Sequence, residues 1–322
     1  MNLRNARNRF TYDGRVVIIT GGSRGLGFLM AGLLRRLGAR VALLARNRDE
    51  LMRAKERLGG GNNVLTIACD VGVRANVRQA VEIVMQHFGR VDVLINNAGV
   101  IQVGPLEHMR YGDFHHAMNV HFWGALHCTE AVLPYMRQRR SGRIVNIASI
   151  GGLIAVPHLA PYAASKFALV GYSDAIRAEV AKNGIRVTTV CPGLMRTGSA
   201  VNALVKGDHE AEFAWFAALS SLPLVSIDAR RAARRIIEAA RRGTPHLTIT
   251  PQASIARMLD RIMPNTFARV MMLAVRVLPG PVGESGNYAW PGREVRPAAL
   301  PRLVTVLGDR AAVRNNELLL TR

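Results

Sequence analysis

The stretch Val16-Val17-Ile18-Ile19-Thr20-Gly21-Gly22-Ser23-Arg24-Gly25-Leu26-Gly27 limits what this chain can fold into more than any other. Its first residues are apolar without alternation, as in a short strand buried on both faces. The glycines permit a tight turn and a close backbone approach to a ligand. From Leu26 to Leu37 the apolar residues then follow helical spacing. Strand, glycine turn and helix together present free amides and the positive end of a helix dipole to an anion, the arrangement that holds a cofactor diphosphate. The spacing here is G-x-x-x-G-x-G, which departs from the G-x-G-x-x-G of the standard dinucleotide fingerprint.

The same alternation continues. Apolar runs at Arg40 to Ala45, Val64 to Cys69, Val91 to Ile95, Arg143 to Ala148, Ile185 to Cys191 and His246 to Thr250 read as strands. Helical patterns fill the intervals at Arg48 to Leu58, Arg74 to Phe88, Asp113 to Met136, Pro161 to Lys182 and Asp228 to Arg242. This predicts an α/β fold: a doubly wound parallel sheet of the Rossmann type, about seven strands, with helices on both faces. That domain covers residues 15–250. A basic segment precedes it (1–14), and an extension follows (251–322) with an amphipathic helix over Ser254 to Leu278, a Pro/Gly-rich loop over Pro279 to Pro301, and a tail from Gly308 whose role the sequence does not indicate. Ligands of such sheets sit beyond the carboxyl ends of the strands, where Gly21, Asp70 and Asn96 fall.

Two local patterns carry chemistry. The second strand ends in Ala45-Arg46-Asn47, with no carboxylate to repel a ribose 2′-phosphate, so Arg46 and Arg24 point to NADP rather than NAD. Tyr162 and Lys166 are four apart in a helix, on one face. An ammonium beside a phenol lowers the phenol's pKa and suits it to general acid/base work, although a Tyr-x-x-x-Lys pattern alone recurs by chance.

Taken together, Thr20-Gly21 with Gly25 and Gly27, Asp70, Asn96-Asn97-Ala98-Gly99, Asn119, Ser149, Tyr162-x-x-x-Lys166, and Pro192-Gly193 with Thr197 resemble a classical short-chain dehydrogenase/reductase, over about Arg15 to Thr250. The resemblance implies that Tyr162 exchanges the proton with the substrate oxygen, that Lys166 lowers its pKa and holds the nicotinamide ribose, that Ser149 hydrogen-bonds the substrate oxygen, and that Asn119 holds a relay water. It also implies cofactor contacts from Gly21, Ser23, Arg24, Gly25, Leu26 and Gly27, from Arg46, Asp70 and Val71, from Asn96, Ala98 and Gly99, and from Pro192, Gly193 and Thr197. Ser23-Arg24 in the turn fits the NADP-preferring type. About seventy residues follow the seventh strand, which puts a tetramer in doubt and leaves a homodimer through the helices of Asn119 to Met136 and Tyr162 to Lys182.

The function that follows is NADPH-linked interconversion of a hydrophobic ketone or aldehyde with its alcohol. The walls expected for the substrate, Ile150 to Ala160 and Leu194 to Val225, are mostly apolar. The competing class is a non-catalytic NADP-binding regulatory or scaffold protein on the same fold.

Composition narrows the partners. The net charge is +21, from 43 basic and 22 acidic residues, and this attracts phosphorylated ligands. The basic residues are dispersed, without a nucleic-acid module, so no nucleic acid is expected. Three scattered cysteines supply neither a disulfide framework nor a metal site. His115, His116, His121 and His158 read as surface or supporting residues, with His158 a candidate for substrate contact. No signal-peptide core and no apolar run of membrane length stand out, so a cytoplasmic protein is expected, with peripheral membrane contact through 254–278 as a further expectation.

Overall fold

The computed structural model describes residues 10–223, 225–297 and 302–318. Most of the basic N-terminal segment, including Arg4, Arg7 and Arg9, lies outside them.

Seven parallel strands form the main sheet: β1 Val16–Thr20, β2 Arg40–Ala45, β3 Val64–Ala68, β4 Val93–Asn96, β5 Gly142–Ile147, β6 Ile185–Cys191 and β7 His246–Thr248. Their spatial order is β7-β6-β5-β4-β1-β2-β3. The order reverses between β1 and β4, which opens the ligand crevice at their carboxyl ends. The strands read as unbroken apolar runs because both faces are covered. Val17, Ile19, Leu43 and Ile95 pack on one face with Leu34 of α1 (Gly25–Arg36) and Ile236 of α8 (Ala229–Arg242). Val16, Ile18, Leu44 and Leu94 pack on the other, with Val81 of α3 (Arg74–Phe88) and Val132 of α5 (Gly124–Gln138). This alternation is the period-two geometry of a strand.

The remaining helices are α2 Arg48–Arg57, α4 Tyr111–Met118, α6 Ala160–Ala181, α7 His209–Ser221, α9 Pro251–Ile262, α10 Pro264–Ala274 and α11 Arg302–Arg314. Three departures from the expected elements matter. The single helix read over Asp113 to Met136 is broken by a π-helical segment, Asn119–Trp123, between α4 and α5. The amphipathic stretch after Thr250 is two helices, because Pro264 cannot continue the first and instead starts the second. The Pro/Gly-rich loop contributes a strand: Trp290–Pro291 pairs with Leu204–Val205, which also pairs with Gln102–Val103. α11 lies against α7 and the segment Ser199–Asn202, and carries the chain end back towards the glycine turn.

Candidate active site

A cavity of about 590 Å³ opens at the carboxyl ends of β1 to β5. Its wall brings together Gly21, Ser23, Arg24, Gly25, Leu26, Arg46, Asp70, Val71, Ala98, Gly99, Tyr162, Lys166 and Thr197. Gly21 and Gly25 have positive φ, 61° and 58°, so the turn needs residues without a Cβ there. At the start of α1 the amides of Leu26 and Gly27 have no partner among the described residues, which leaves donors for an anion. Asp70 fixes its loop by accepting from the Gly72 amide at 2.9 Å. A nicotinamide dinucleotide fits this donor set and this volume.

Several expected contacts are not in the wall. Gly27 lies directly over the Gly21 carbonyl, so its role is to let the helix pack on the turn. Asn96 is buried beneath the cavity, and its Nδ2 donates to Asn146 Oδ1 at 2.8 Å. Its neighbour Asn97 lines the cavity instead and donates to the carbonyls of Thr20 and Gly21. Pro192 offers its carbonyl to the Ile150 amide, and Gly193 packs on Thr250. Both shape the loop without reaching the cavity.

Asn119 is also displaced. Its carboxamide packs against Gly72, and Asn119 is not in the cavity wall. The residue that the π segment turns into the site is His121. It is 2% exposed and meets the Tyr162 ring edge-on at 5.4 Å between centroids. The Val100 amide donates to His121 Nε2 at 3.1 Å, so Nδ1 carries the proton and donates to Ser165 Oγ at 2.7 Å; Ser165 in turn donates to the Tyr162 carbonyl at 2.8 Å. One imidazole thus couples the loop after β4 to the helix that carries Tyr162. A signal for this is present in the sequence: Ala117, His121, Ala125, Cys128, Val132 and Met136 form an i, i+4, i+3 row of buried positions from which Asn119 is absent.

Ser149, the N-cap of a short turn, accepts from the Gly151 amide at 3.1 Å and lies beside the Tyr162 ring. Lys166 Nζ is 5.7 Å from the centre of that ring and donates to the Ile147 carbonyl at 2.9 Å. The electrostatics differ from the expectation that the lysine lowers the tyrosine's pKa. Burial raises Tyr162 above its ordinary value, with the Ser149 hydroxyl opposing it. Burial also brings Lys166 down to about 7, and its Nζ is directed at the Ile147 carbonyl rather than at the Tyr162 hydroxyl. Burial, with Lys166 nearby, pushes His121 well below its usual value and keeps it neutral.

The two arginines expected for a 2′-phosphate differ. Arg24 is already paired, to Glu50 at 2.9 Å and to Glu317 at 3.4 Å. Arg46 is exposed at the cavity rim with no partner among the described residues. His158 is held by the buried Glu212 at 2.7 Å, supporting the wall rather than entering the cavity. Of the apolar residues expected around the substrate, Leu159, Phe213 and Phe216 pack together as a small core, and Met195 reaches the cavity. No group of His, Cys, Asp and Glu suited to a metal ion occurs among the described residues.

Residues 15–206 match the family model described as short chain dehydrogenase. The Mycobacterium tuberculosis protein SadH is 33% identical over 271 residues, 82% of this chain and 96% of its own length. A 3-ketodihydrosphingosine reductase of Bacteroides thetaiotaomicron is 40% identical over 188 residues, 58% of this chain and 66% of that protein. Among solved structures, a short-chain dehydrogenase from Streptomyces avermitilis superposes with a TM-score of 0.68 at 28% identity, covering 81% of this chain and 98% of that one.

Proposed function

The chain belongs to the short-chain dehydrogenase family of oxidoreductases, and on that premise we propose that it is an NADP-dependent enzyme interconverting a hydrophobic ketone or aldehyde with its alcohol. The observation that carries the reading is the meeting of Ser149, Tyr162 and Lys166 beside a cavity that fits a dinucleotide. A bound nicotinamide supplies or accepts the hydride. In reduction, the Tyr162 hydroxyl gives its proton to the carbonyl oxygen as the hydride reaches the carbon, and in oxidation it takes the proton back. A raised pKa keeps Tyr162 protonated and ready to donate. The Ser149 hydroxyl donates to the same oxygen and stabilises developing negative charge. Loss of reduced-nicotinamide absorbance with a panel of apolar ketones and aldehydes tests the reading. Steady absorbance with every ketone, and no reduction of NADP by the matching alcohols, would count against it and favour the non-catalytic alternative.

Arg46 supports the NADP preference, since it is the unpaired guanidinium at the rim where β2 ends. Arg46→Ala is expected to raise the KM for NADPH about tenfold, the scale of one charge-assisted phosphate contact, and to leave that for NADH unchanged. Equal effects on both cofactors would remove Arg46 from 2′-phosphate recognition. Apolar residues at the cavity, including Ile101, Met195 and Leu204, support a hydrophobic substrate. So does the similarity to a reductase whose name specifies a keto-sphingoid lipid.

Two surfaces suit partners. Ile255, Met258, Leu259 and Ile262 are exposed at i, i+3, i+4 and i+7 of α9, which also carries Arg261, and Arg269 and Arg276 follow in α10 and the turn after it. Among the described residues no helix is long and apolar enough to cross a membrane. A basic apolar face fits the headgroup layer of an acidic bilayer, which supports peripheral contact of a cytoplasmic protein with a membrane through this face. Trp123, at the end of the π segment before α5, and Phe167 of α6 are 45% and 44% exposed, which supports a homodimer through this face. Sedimentation reads both: a dimer mass without vesicles, and co-sedimentation with anionic vesicles that is lost in Ile255→Glu/Ile262→Glu. A monomer, or vesicle binding unchanged by the double substitution, would exclude the corresponding surface.

A further inference from the structure

The tail after α11 has no role in the chemistry above, yet among its described residues Glu317 lines the cofactor cavity. The Asn315 carbonyl accepts from the Gly25 amide at 2.8 Å, taking the first free donor of the glycine turn. The Asn316 side chain donates to the Ser23 carbonyl at 2.8 Å, with Asn316 itself in a left-handed conformation at φ 63°. The Glu317 carboxylate, 6% exposed, stands against Gly25 and lines the same cavity as Leu26, Tyr162 and Thr197. Asn202 donates to it at 2.7 Å from the opposite wall, and Asn315 donates to the Thr197 carbonyl at 2.9 Å. Three residues of the tail therefore bridge the glycine turn and the loop after β6.

We propose that Glu317 is a built-in occupant of the anion position at the glycine turn, and that a dinucleotide enters only by displacing it, so that this one side chain sets the affinity for the cofactor. The inference rests on reading the cavity as a dinucleotide site. Two features support it. The amide of Leu26, next to Gly25 in the cavity wall, remains open, so a diphosphate seated there brings its negative charge against Glu317. The carboxylate also has little compensation: Arg24 reaches it at 3.4 Å but is engaged more closely by Glu50, and burial pushes Glu317 up to about 7. A carboxylate kept buried at such a cost, next to the anion donors, acts as a counterfeit of the ligand. Its attachments are one hydrogen bond from Asn202 and the longer ion pair to Arg24, which a tightly held diphosphate can outcompete.

The test is direct binding, followed by fluorescence of NADPH and of NADH in the full-length protein and in Glu317→Gln and Glu317→Ala, with thermal unfolding as the check on folding. Glutamine keeps the size and the bond from Asn202 while removing the charge. Both variants are expected to bind both cofactors about tenfold more tightly or better, the scale of relieving one short-range like-charge contact inside a protein. Unchanged affinity in folded variants overturns the proposal and leaves the dinucleotide reading intact. Weaker binding of NADH also overturns it, because Glu317 would then be a ligand of the ribose hydroxyls. Failure of all three proteins to bind either cofactor overturns this proposal and the dinucleotide reading together.

Discussion

Tyr162→Phe is expected to lower turnover by about 10³-fold or more while the Kd for NADPH changes less than a few-fold, as measured by steady-state rates and by cofactor fluorescence. The substitution deletes one hydroxyl and keeps the ring that packs edge-on against His121 and next to Gly151. The fold and the cavity wall are therefore preserved, and the loss falls on the proton transfer. General acid catalysis contributes about 10² to 10⁴ in rate, and no other hydroxyl replaces this one: Ser149 has an alcohol pKa too high to donate a proton outright. The Lys166 ammonium cannot substitute either, since it lies across the ring and is hydrogen-bonded to Ile147. Turnover within tenfold of wild type would show that Tyr162 is not the acid.

The raised pKa of Tyr162 bears on direction as well. Burial favours the neutral phenol, which is the form that donates in reduction. Oxidation requires the phenolate, and the cation beside it, Lys166, is drawn down to about 7. An oxidised nicotinamide brings a positive charge of its own, so the site is better balanced for abstraction once that cofactor is bound.

Most of the fold was legible because each strand is apolar on both faces and each is followed by a helical repeat; β1, β2, β6 and α3 fall on the residues that pattern indicates. The glycine turn was legible for the same physical reason, since Gly21 and Gly25 adopt positive φ. Pairings made at long range were not. Nothing in the run Trp290-Pro291 announces that it will find Leu204–Val205, and nothing in Asn315-Asn316-Glu317 announces a contact nearly three hundred residues away with Ser23. The site was legible by residue type at Tyr162, Lys166 and the turn. It failed at Asn119 because that residue lies off the buried row of Ala117, His121 and Ala125, so that His121 and not Asn119 faces the Tyr162 ring. It failed at Asn96 because one residue of strand exchanges an inward side chain for an outward one, so that Asn97 meets the cavity and Asn96 the buried amides below it.

The same row yields the second large effect: His121→Ala is expected to reduce kcat about 10²-fold, with a smaller change in KM for the carbonyl substrate. His121 does not touch the reacting atoms in this arrangement. It joins the Val100 amide to the Ser165 hydroxyl, and so holds the loop after β4, where Ala98 and Gly99 line the cofactor cavity, at a fixed distance from the turn of α6 that bears Tyr162. Removing it leaves the Val100 amide without this partner, takes one of the two bonds of the Ser165 hydroxyl and opens a space beside the Tyr162 ring, and a displacement of order 1 Å between donor and acceptor is enough for a loss of this size. Simple destabilisation predicts a lower melting temperature with kcat retained below it, so the two are separable. The pH profile separates them from a further reading. Because burial keeps His121 neutral, its protonation contributes no limb near the ordinary imidazole value, and a kcat profile from pH 6 to 8 should have the same shape in wild type and in His121→Gln. Glutamine offers one acceptor and one donor and is expected to recover part of the loss. A profile whose acidic limb vanishes in His121→Gln would make the imidazole a proton carrier, and full activity in His121→Ala would remove it from the catalytic machinery.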